Sequence, residues 1–177
     1  RSRRFTGGAH CNITRLFMEF DTSSISSAPG SATLNIKGYG SDTTTNPPII
    51  VLLADPQQYN GNTLGDFPGH GSGWNNTSSG ITPLSAVRTT AWSTSGYNTI
   101  TLNSQARDVI ANEDVLQVVI MTYDYDYLDV DPATVSGTED VCAGVILNDS
   151  GTSNDPYLET GAGGYGKDVM GIDSGDI

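Results

Sequence analysis

The sequence predicts an all-β fold: an antiparallel, jelly-roll-like β-sandwich with one short helix. Charged residues make up only 16% of the chain, and the helix-favouring Lys, Arg and Glu are scarce. Several short stretches alternate apolar and polar residues, as strands with one buried face do. Segments rich in Gly, Ser, Thr, Asn and Asp separate these stretches and favour turns. About seven short strands separated by turn signals are typical of a sandwich.

Seven segments carry the strand pattern. In residues 12–20, Leu16, Met18 and Phe20 share one face, which we expect to point into the core. Residues 114–123 are apolar on both faces, which predicts a central strand that is buried on both sides. The other predicted strands are residues 31–40, 49–55, 97–103, 141–149 and 156–160.

Two polar side chains are predicted to cap local structure. Ser104 stands at the start of residues 104–112, where apolar residues recur at helical spacing, so we expect it to cap a helix. Asp21 directly follows the first long strand and is placed to accept hydrogen bonds within a tight turn. The apolar stripe of the helix consists of Ala106, Val109 and Ile110.

The chain divides into an N-terminal arm at residues 1–11, a β-sandwich domain at residues 12–160 and a Gly-rich C-terminal tail or linker at residues 161–177. It starts at Arg1, and we expect it to be a piece of a longer protein. No apolar run approaches the roughly 20 residues of a membrane helix. A net charge of −12 disfavours contact with the phosphates of nucleic acids. Neither a membrane nor a nucleic acid is therefore an expected partner.

The segment YDYDYLDVDP, residues 123–132, follows the most apolar strand and concentrates acidic and aromatic residues. In an extended strand, Asp124 and Asp126 would share one face, roughly 6.5–7 Å apart. Asp129 and Asp131 have the opposite parity, so the four carboxylates converge only if a turn separates the two pairs. A converged cluster would favour a hard cation such as Ca²⁺, which offsets the repulsion between its charges. The alternative is a solvated strand end that binds no metal.

Aromatic side chains give a second candidate site, because sandwich modules hold sugars by stacking them on exposed rings. The candidates for carbohydrate binding are Trp74, Trp92, Tyr59, Tyr125 and Tyr127. Trp74 lies in the longest polar segment and is the foremost of them. The alternative is that both tryptophans fill the ends of the sandwich.

The cysteines and histidines give no sign of catalysis. Cys11 and Cys142 lie in strand-like contexts, where they either form a disulfide or remain small buried hydrophobic residues. His10 and His70 lie in Gly-rich segments. Neither a nucleophile elbow nor a dinucleotide or phosphate-loop motif is present. We therefore expect no catalytic residues and no enzymatic activity.

Four motifs follow one another along residues 12–160: RLFMEFDTSSISSAPGSATLNIKGYG, WSTSGYNTITLNSQARDVI, YDYDYLDVDP and SNDPYLE. Their order and spacing resemble the DNRLRE-type β-sandwich family, and in particular the variant found in structural proteins of bacteriophages and environmental viruses. The wider family usually has a strand before the first motif, where this chain has only RSRRFTGGAHC. The resemblance therefore implies either a short first strand or a sheet edge that another chain completes.

The fold and the resemblance together predict a non-enzymatic structural or assembly module. Its expected place is a virion, as a phage fibre, tail or capsid-surface protein, or another extracellular assembly. The expected partners are copies of the same chain or neighbouring virion proteins, which would hold the arm and the tail. The alternative is a carbohydrate-binding module that attaches to a host-surface glycan. No cofactor is expected apart from the candidate Ca²⁺ of the acidic segment.

Overall fold

The computed structural model describes residues 2–4, 11–13, 15–39, 48–54, 82–128, 140–141, 144–145 and 153–161. The strands in these ranges are β1 (Ser2–Arg4), β2 (Cys11–Ile13), β3 (Leu16–Asp21), β4 (Ser31–Tyr39), β5 (Ile49–Leu53), β6 (Tyr97–Thr101), β7 (Val115–Thr122), β8 (Asp140–Val141), β9 (Gly144–Val145) and β10 (Tyr157–Gly161). One α-helix, α1, spans Ser104–Asn112, and a π-helical turn spans Tyr123–Tyr127. The strands pair antiparallel. The prediction of an all-β antiparallel sandwich with one short helix is confirmed.

Two sheets pack against each other across the core. One contains β3, β7 and β5 in that order, and the other contains β10, β4 and β6, with β9 paired to the end of β4. Inward side chains from both sheets form one buried apolar cluster, the core, which Met18 and Phe20 join as predicted. Its fully buried members include Phe20, Leu34, Ile36, Val51, Leu84, Ile110, Leu116 and Val118.

Strand β7 is buried on both faces, as its unbroken apolar sequence predicted. Leu116 and Val118 point into the core, while Val119 and Met121 point to the outer face of the sheet. Those outward side chains are also buried, because they belong to a second apolar cluster on that face. The buried members of the second apolar cluster are Ile50, Leu52, Ala54, Val119 and Met121.

The segment 82–88 links the two sheets along one side of the sandwich. Ile49 and Arg88 exchange backbone hydrogen bonds of 3.1 and 2.8 Å, so the segment pairs with β5. Leu84 donates its N–H to the Val51 carbonyl at 2.8 Å, and its own carbonyl accepts from the Asn103 N–H at 2.8 Å. The segment therefore contacts β5 in one sheet and the residues that follow β6 in the other.

Helix α1 covers the predicted residues, but its cap is Asn103 and not Ser104. The Asn103 side-chain oxygen accepts from the Ala106 N–H at 3.0 Å, and Asn103 has extended backbone angles. The same amide donates to the Pro83 carbonyl at 2.7 Å. An amide can accept and donate at once, so Asn103 begins the helix and fixes it to segment 82–88. Among the described residues, no helix is long and apolar enough to span a membrane.

Strand β1 pairs within its own chain, between β2 and β8 in a separate three-stranded sheet. We expected neighbouring chains to hold residues 1–11. For Ser2–Arg4 no neighbouring chain is required, because β2 and β8 of the same chain form hydrogen bonds with the backbone of this strand on both sides. The contact that orders β1 is therefore intramolecular.

The candidate disulfide falls partly outside the described residues, since Cys142 is not among them. Cys11 pairs with Arg4 in β1, and β1 lies between β2 and β8. The pairing of Cys11 with Cys142 stays a prediction.

Candidate functional site

The acidic segment forms a turn, so the extended geometry considered for Asp124 and Asp126 does not apply. Residues Tyr123–Tyr127 make one π-helical turn, which the Leu128 N–H closes by donating to the Tyr123 carbonyl at 2.9 Å. The Tyr123 N–H donates to the Pro48 carbonyl at 2.8 Å, which ties the turn to the residue before β5. The chain thus leaves the sheet immediately after β7.

Aromatic packing accounts for this turn. The rings of Tyr123 and Tyr127 stack with their centroids 5.5 Å apart and their planes at 23°. Both rings pack against the second apolar cluster. If the strand continued in extended form, it would move Tyr127 away from this cluster. Because five residues close one π-helical turn, Asp124 and Asp126 point to different sides. Asp126 is buried and Asp124 is half-buried.

Asp126 forms a buried ion pair with Arg15, which lies just before β3. The Arg15 Nη2 donates to Oδ1 at 2.7 Å and the Nε donates to Oδ2 at 2.9 Å, a two-pronged contact. The side chain of Asp126 is 2% exposed and that of Arg15 is 17% exposed. Burial removes water from both charges, so each depends on the other for solvation. The pair joins residues 111 positions apart in the sequence.

The predicted calcium site is only partly within the described residues. Asp124 and Asp126 do not share a face, and Asp126 is occupied by Arg15. Asp129 and Asp131 lie outside the described residues. Across the described ranges, no three His, Cys, Asp or Glu side chains are grouped so that they could hold a metal ion.

The aromatic candidates for sugar binding are separated in the same way. Tyr59 and Trp74 lie outside the described residues, and of Tyr125 only the backbone is described. Trp92 is 8% exposed and belongs to the core. Its ring also lies beneath the Arg88 guanidinium, 5.1 Å from the ring centroid. Trp92 therefore fills the interior, as the alternative interpretation held, and offers no open ring face to a sugar.

A polar network surrounds Trp92 and fixes the loop before β6. The Asn98 side-chain oxygen accepts from the Ser93 N–H at 2.8 Å and from the Arg88 guanidinium at 3.2 Å, while its amide donates to the Ser93 carbonyl at 3.0 Å. Burial away from water lowers the pKa of Arg88. A Cβ on Gly38 would lie 1.6 Å from the Ser93 carbonyl oxygen, so only glycine allows this approach.

One surface escaped the sequence-based prediction: the outer face of the β10–β4–β6 sheet. Side chains at alternate positions of β4 point outward and meet outward residues of both neighbours. Tyr39 is the one exposed large hydrophobic side chain among the described residues, with 65% of its surface exposed. We call this surface the tyrosine patch, and it consists of Thr33, Lys37, Tyr39, Tyr97, Thr99 and Tyr157.

Two tyrosines and a lysine form the aromatic part of the tyrosine patch. The rings of Tyr97 and Tyr157 meet edge to face, with centroids 5.1 Å apart and planes at 71°. The Lys37 ammonium lies 5.3 Å from the centroid of the Tyr97 ring. The Tyr97 hydroxyl lies 3.0 and 3.1 Å from the carbonyl oxygens of Ser153 and Asp155, to which it donates. These contacts fix the hydroxyl group and the ring of Tyr97.

The hydroxyl part of the patch is organised by Asn35, which is 3% exposed beneath it. The Thr99 hydroxyl donates to the Asn35 side-chain oxygen at 2.7 Å. The Asn35 amide in turn donates to the Thr33 hydroxyl oxygen at 3.2 Å. The buried Asn35 amide therefore fixes both hydroxyl groups: that of Thr99 acts as a donor to it, and that of Thr33 acts as an acceptor from it.

A sequence signal for this patch existed in the polar positions of the two alternating strands. Residues 31–40 and 97–103 carry Thr, Asn, Lys and Tyr at every second position. That pattern predicts an outward face, but it does not predict which residues become neighbours across strands. The register, which places Tyr97 opposite Lys37 and Thr99 opposite Asn35, depends on pairing between distant segments.

No family model, no curated protein and no solved structure matches this chain.

Proposed function

We propose that this chain is a non-enzymatic β-sandwich module of a virion or of another extracellular assembly. In that assembly it binds copies of itself or neighbouring virion proteins. The observation that supports this proposal is the use of buried polar side chains to join distant segments. Asp126 binds Arg15 across 111 positions, and the Thr22 hydroxyl donates to the Glu113 carbonyl at 2.7 Å across 91 positions. Such cross-links suit a rigid scaffold that must keep its shape under load.

The distribution of charge supports contact between copies. The chain has a net charge of −12, yet four of its eight basic residues lie at or before Arg15. Two of them, Arg3 and Arg4, lie in β1, whose sheet is separate from the two sheets of the sandwich. A basic segment on an otherwise acidic chain attracts the acidic surface of another copy.

Sedimentation velocity of the 177-residue chain, over a range of protein and salt concentrations, tests this proposal. We expect self-association that weakens as salt screens the charges. Arg4→Ser should weaken the association, because it removes one positive charge from β1 while its backbone pairing is kept. Lys37→Ser is the matched control, since it removes the same charge from β4, which belongs to neither the arm nor the tail.

Two results would contradict the assembly proposal. One is a chain that stays monomeric at low salt and high concentration. The other is an Arg4→Ser protein that associates as well as the Lys37→Ser protein, which would exclude the basic segment as the contact. Melting curves of both variants should match the parent, so that a difference in association is not a difference in folding.

A second candidate function is attachment to a glycan, and the tyrosine patch favours it. The patch combines aromatic rings with hydroxyl groups on a sheet surface, and Tyr39 and Thr99 are exposed to solvent. Aromatic rings that carry a polar group are suited to ligands that are apolar on one side and wet on the other. Binding to an array of glycans tests this function directly.

A further inference from the structure

We propose that the tyrosine patch is a binding site for a neutral oligosaccharide, which lies along β4. This inference rests on the second candidate function and names its site, its ligand class and the roles of its residues. Three features of the patch support it: its lack of aliphatic side chains, the orientation of its hydroxyl groups and the fixed position of its rings.

The outward positions of this sheet favour a hydroxylated ligand over a second protein sheet. Apart from the patch, the described outward side chains are Ser31, Thr101 and Glu159, all exposed. The buried centre of a protein interface is mostly apolar and depleted in charge. Tyrosines also suit a protein interface, but covering this face with protein would bury the Glu159 carboxylate and the threonine hydroxyl groups, each of which would then need a polar partner. A sugar brings its own hydroxyl groups to the same positions.

The threonines of the patch present one acceptor and one donor. The Thr99 hydroxyl donates its hydrogen to Asn35, so the lone pairs of its oxygen can accept a hydrogen bond from a ligand. Thr33 already accepts from Asn35, so its own O–H is the group left to donate. Neighbouring hydroxyl groups of a sugar ring can donate to one and accept from the other. Asn35 is buried, so this arrangement is set before a ligand arrives.

The exposed ring of Tyr39 supplies the stacking surface, and Tyr97 and Tyr157 border it with rings that are held in place. Tyr97 is held by its hydroxyl and by Lys37, and Tyr157 is held against it edge to face. Fixed rings lose little conformational freedom when a ligand binds. Tyr39 lies two residues beyond Lys37 on the same face and extends the patch along β4. From Thr33 to Tyr39 the strand runs roughly 20 Å, enough for several sugar rings in a row.

Charge selects a neutral ligand over an acidic one. The chain carries a net charge of −12, which repels anionic sugars at long range. The patch holds one ammonium group, that of Lys37, and this group lies over the Tyr97 ring. Glu159 lies on the same face and adds a negative charge at the edge of the sheet. The local field therefore gives an acidic sugar no net advantage.

The experiment combines a glycan array with titrations of the full 177-residue chain. The array carries neutral and uronic-acid oligosaccharides, and the affinity of any neutral oligosaccharide that binds is measured by calorimetry. Thr99→Val keeps the β-branched shape and removes the hydroxyl, so we expect affinity to fall about tenfold. Thr89→Val is the matched control, because it makes the same change at an exposed position outside the sheet, and its affinity should be unchanged.

Tyr39→Ala protects the test against a folding defect, because that side chain is 65% exposed and supports no core contact. Loss of its ring should lower affinity about fivefold. A neutral oligosaccharide whose binding falls in both patch variants and not in Thr89→Val supports the proposal. Binding that is equal in all three variants overturns this site while glycan attachment stands. A chain that binds no neutral oligosaccharide overturns both, and the assembly proposal is judged separately by sedimentation.

Discussion

The outer faces of the two sheets differ more than any other pair of surfaces described in this chain. On the β3–β7–β5 sheet, the outward side chains Ile50, Leu52, Val119 and Met121 are at most 4% exposed. The other outward side chains of this sheet, towards the β3 edge, include the half-buried Phe17, Glu19 and Gln117. On the β10–β4–β6 sheet, the outward side chains are Thr, Asn, Lys, Tyr and Glu, and Tyr39 is 65% exposed. One outer face is part of the interior of the protein, and the other meets solvent.

This difference follows from the composition of the strands. Residues 49–53 and 115–122 are apolar on both faces, and a strand of that kind is stable only when both faces are covered. Residues 31–39 and 97–101 alternate, so only one of their faces needs cover. The covered face therefore stabilises the fold, and the open face is the one available to partners and ligands.

The largest expected change in the free energy of unfolding comes from truncating a buried side chain on the covered face. Leu52→Ala should lower the free energy of unfolding by about 3 kcal/mol, because it leaves a cavity beneath a fully buried side chain. Thr101→Ala on the open face should change it by less than about 0.5 kcal/mol. Urea denaturation measures both. A loss below about 1 kcal/mol for Leu52→Ala would contradict the difference between the two faces, since it would mean that burial of the second apolar cluster adds little to stability.

The next effect is expected at the turn that follows β7 at the edge of the covered face. Asp126→Asn removes one charge of a buried ion pair and leaves Arg15 without its counter-charge. We expect a loss of about 2 kcal/mol, smaller than for a fully buried pair because Arg15 is 17% exposed. Asp124→Asn, in the same turn, is the control and should cost less than about 0.5 kcal/mol. Similar losses in both variants would show that the turn, and not the pair, is stabilising.

Thermal denaturation of the parent and of Asp126→Asn tests the calcium prediction. A Ca²⁺ ion bound by Asp126 would have to displace Arg15 from both carboxylate oxygens. We therefore expect added Ca²⁺ and added chelator to give the same melting temperature. A higher melting temperature in Ca²⁺ that is lost in Asp126→Asn would instead assign a metal to this carboxylate.

Much of the fold was predictable because its signals are local. Alternation predicted β3, β4 and β6, unbroken apolar runs predicted β5 and β7, and helical spacing predicted α1. The cap was misplaced by one residue because Ser104 and Asn103 are both good caps, and the choice depended on a contact with Pro83.

The turn at Tyr123–Tyr127 was not predictable from local pattern. Alternating Tyr and Asp imitate a strand, and nothing nearby in the sequence opposes that interpretation. The deciding contacts come from far away: Arg15 binds Asp126, and the second apolar cluster supports the two stacked tyrosines. The tyrosine patch was missed for the same reason, because its members are brought together by strand register.

A smaller effect is expected on the open face itself. Tyr97→Phe keeps the ring and removes the hydroxyl that donates to the carbonyls of Ser153 and Asp155. The loss of one such hydrogen bond should cost about 1 kcal/mol. Tyr157→Phe is the control on the same face and should cost less than about 0.5 kcal/mol. If both variants unfold like the parent, the turn before β10 is held by other contacts, and the open face contributes nothing to stability.

The smallest effect is expected at Asp21, where a solvent-exposed side chain belongs to the sheet whose outer face is covered. Asp21 ends β3, in the sheet with the covered outer face, yet its side chain reaches solvent. Its Oδ1 accepts hydrogen bonds from the Ser23 hydroxyl at 2.6 Å and from the Ser23 N–H at 2.9 Å, as the predicted tight turn requires. These two bonds, the hydroxyl first, lower the pKa of Asp21 below its ordinary value of 3.8.

Because the folded-state pKa is lowered, the turn keeps its full stabilisation above pH 3.8 and loses it as the pH falls through the folded-state pKa. In an NMR titration, the Asp21 carboxyl should titrate below 3.8, and Ser23→Ala should move it part of the way back, since the backbone donor remains. Ser24→Ala, next along the exposed turn, should leave the titration unchanged. A titration of Asp21 at 3.8 in the parent would mean that the turn is open in solution. If it titrates only slightly below 3.8, linkage requires that the free energy of unfolding falls only slightly over the same pH range, and a solvent-exposed contact then adds little to stability even though it lies in the sheet with the covered face.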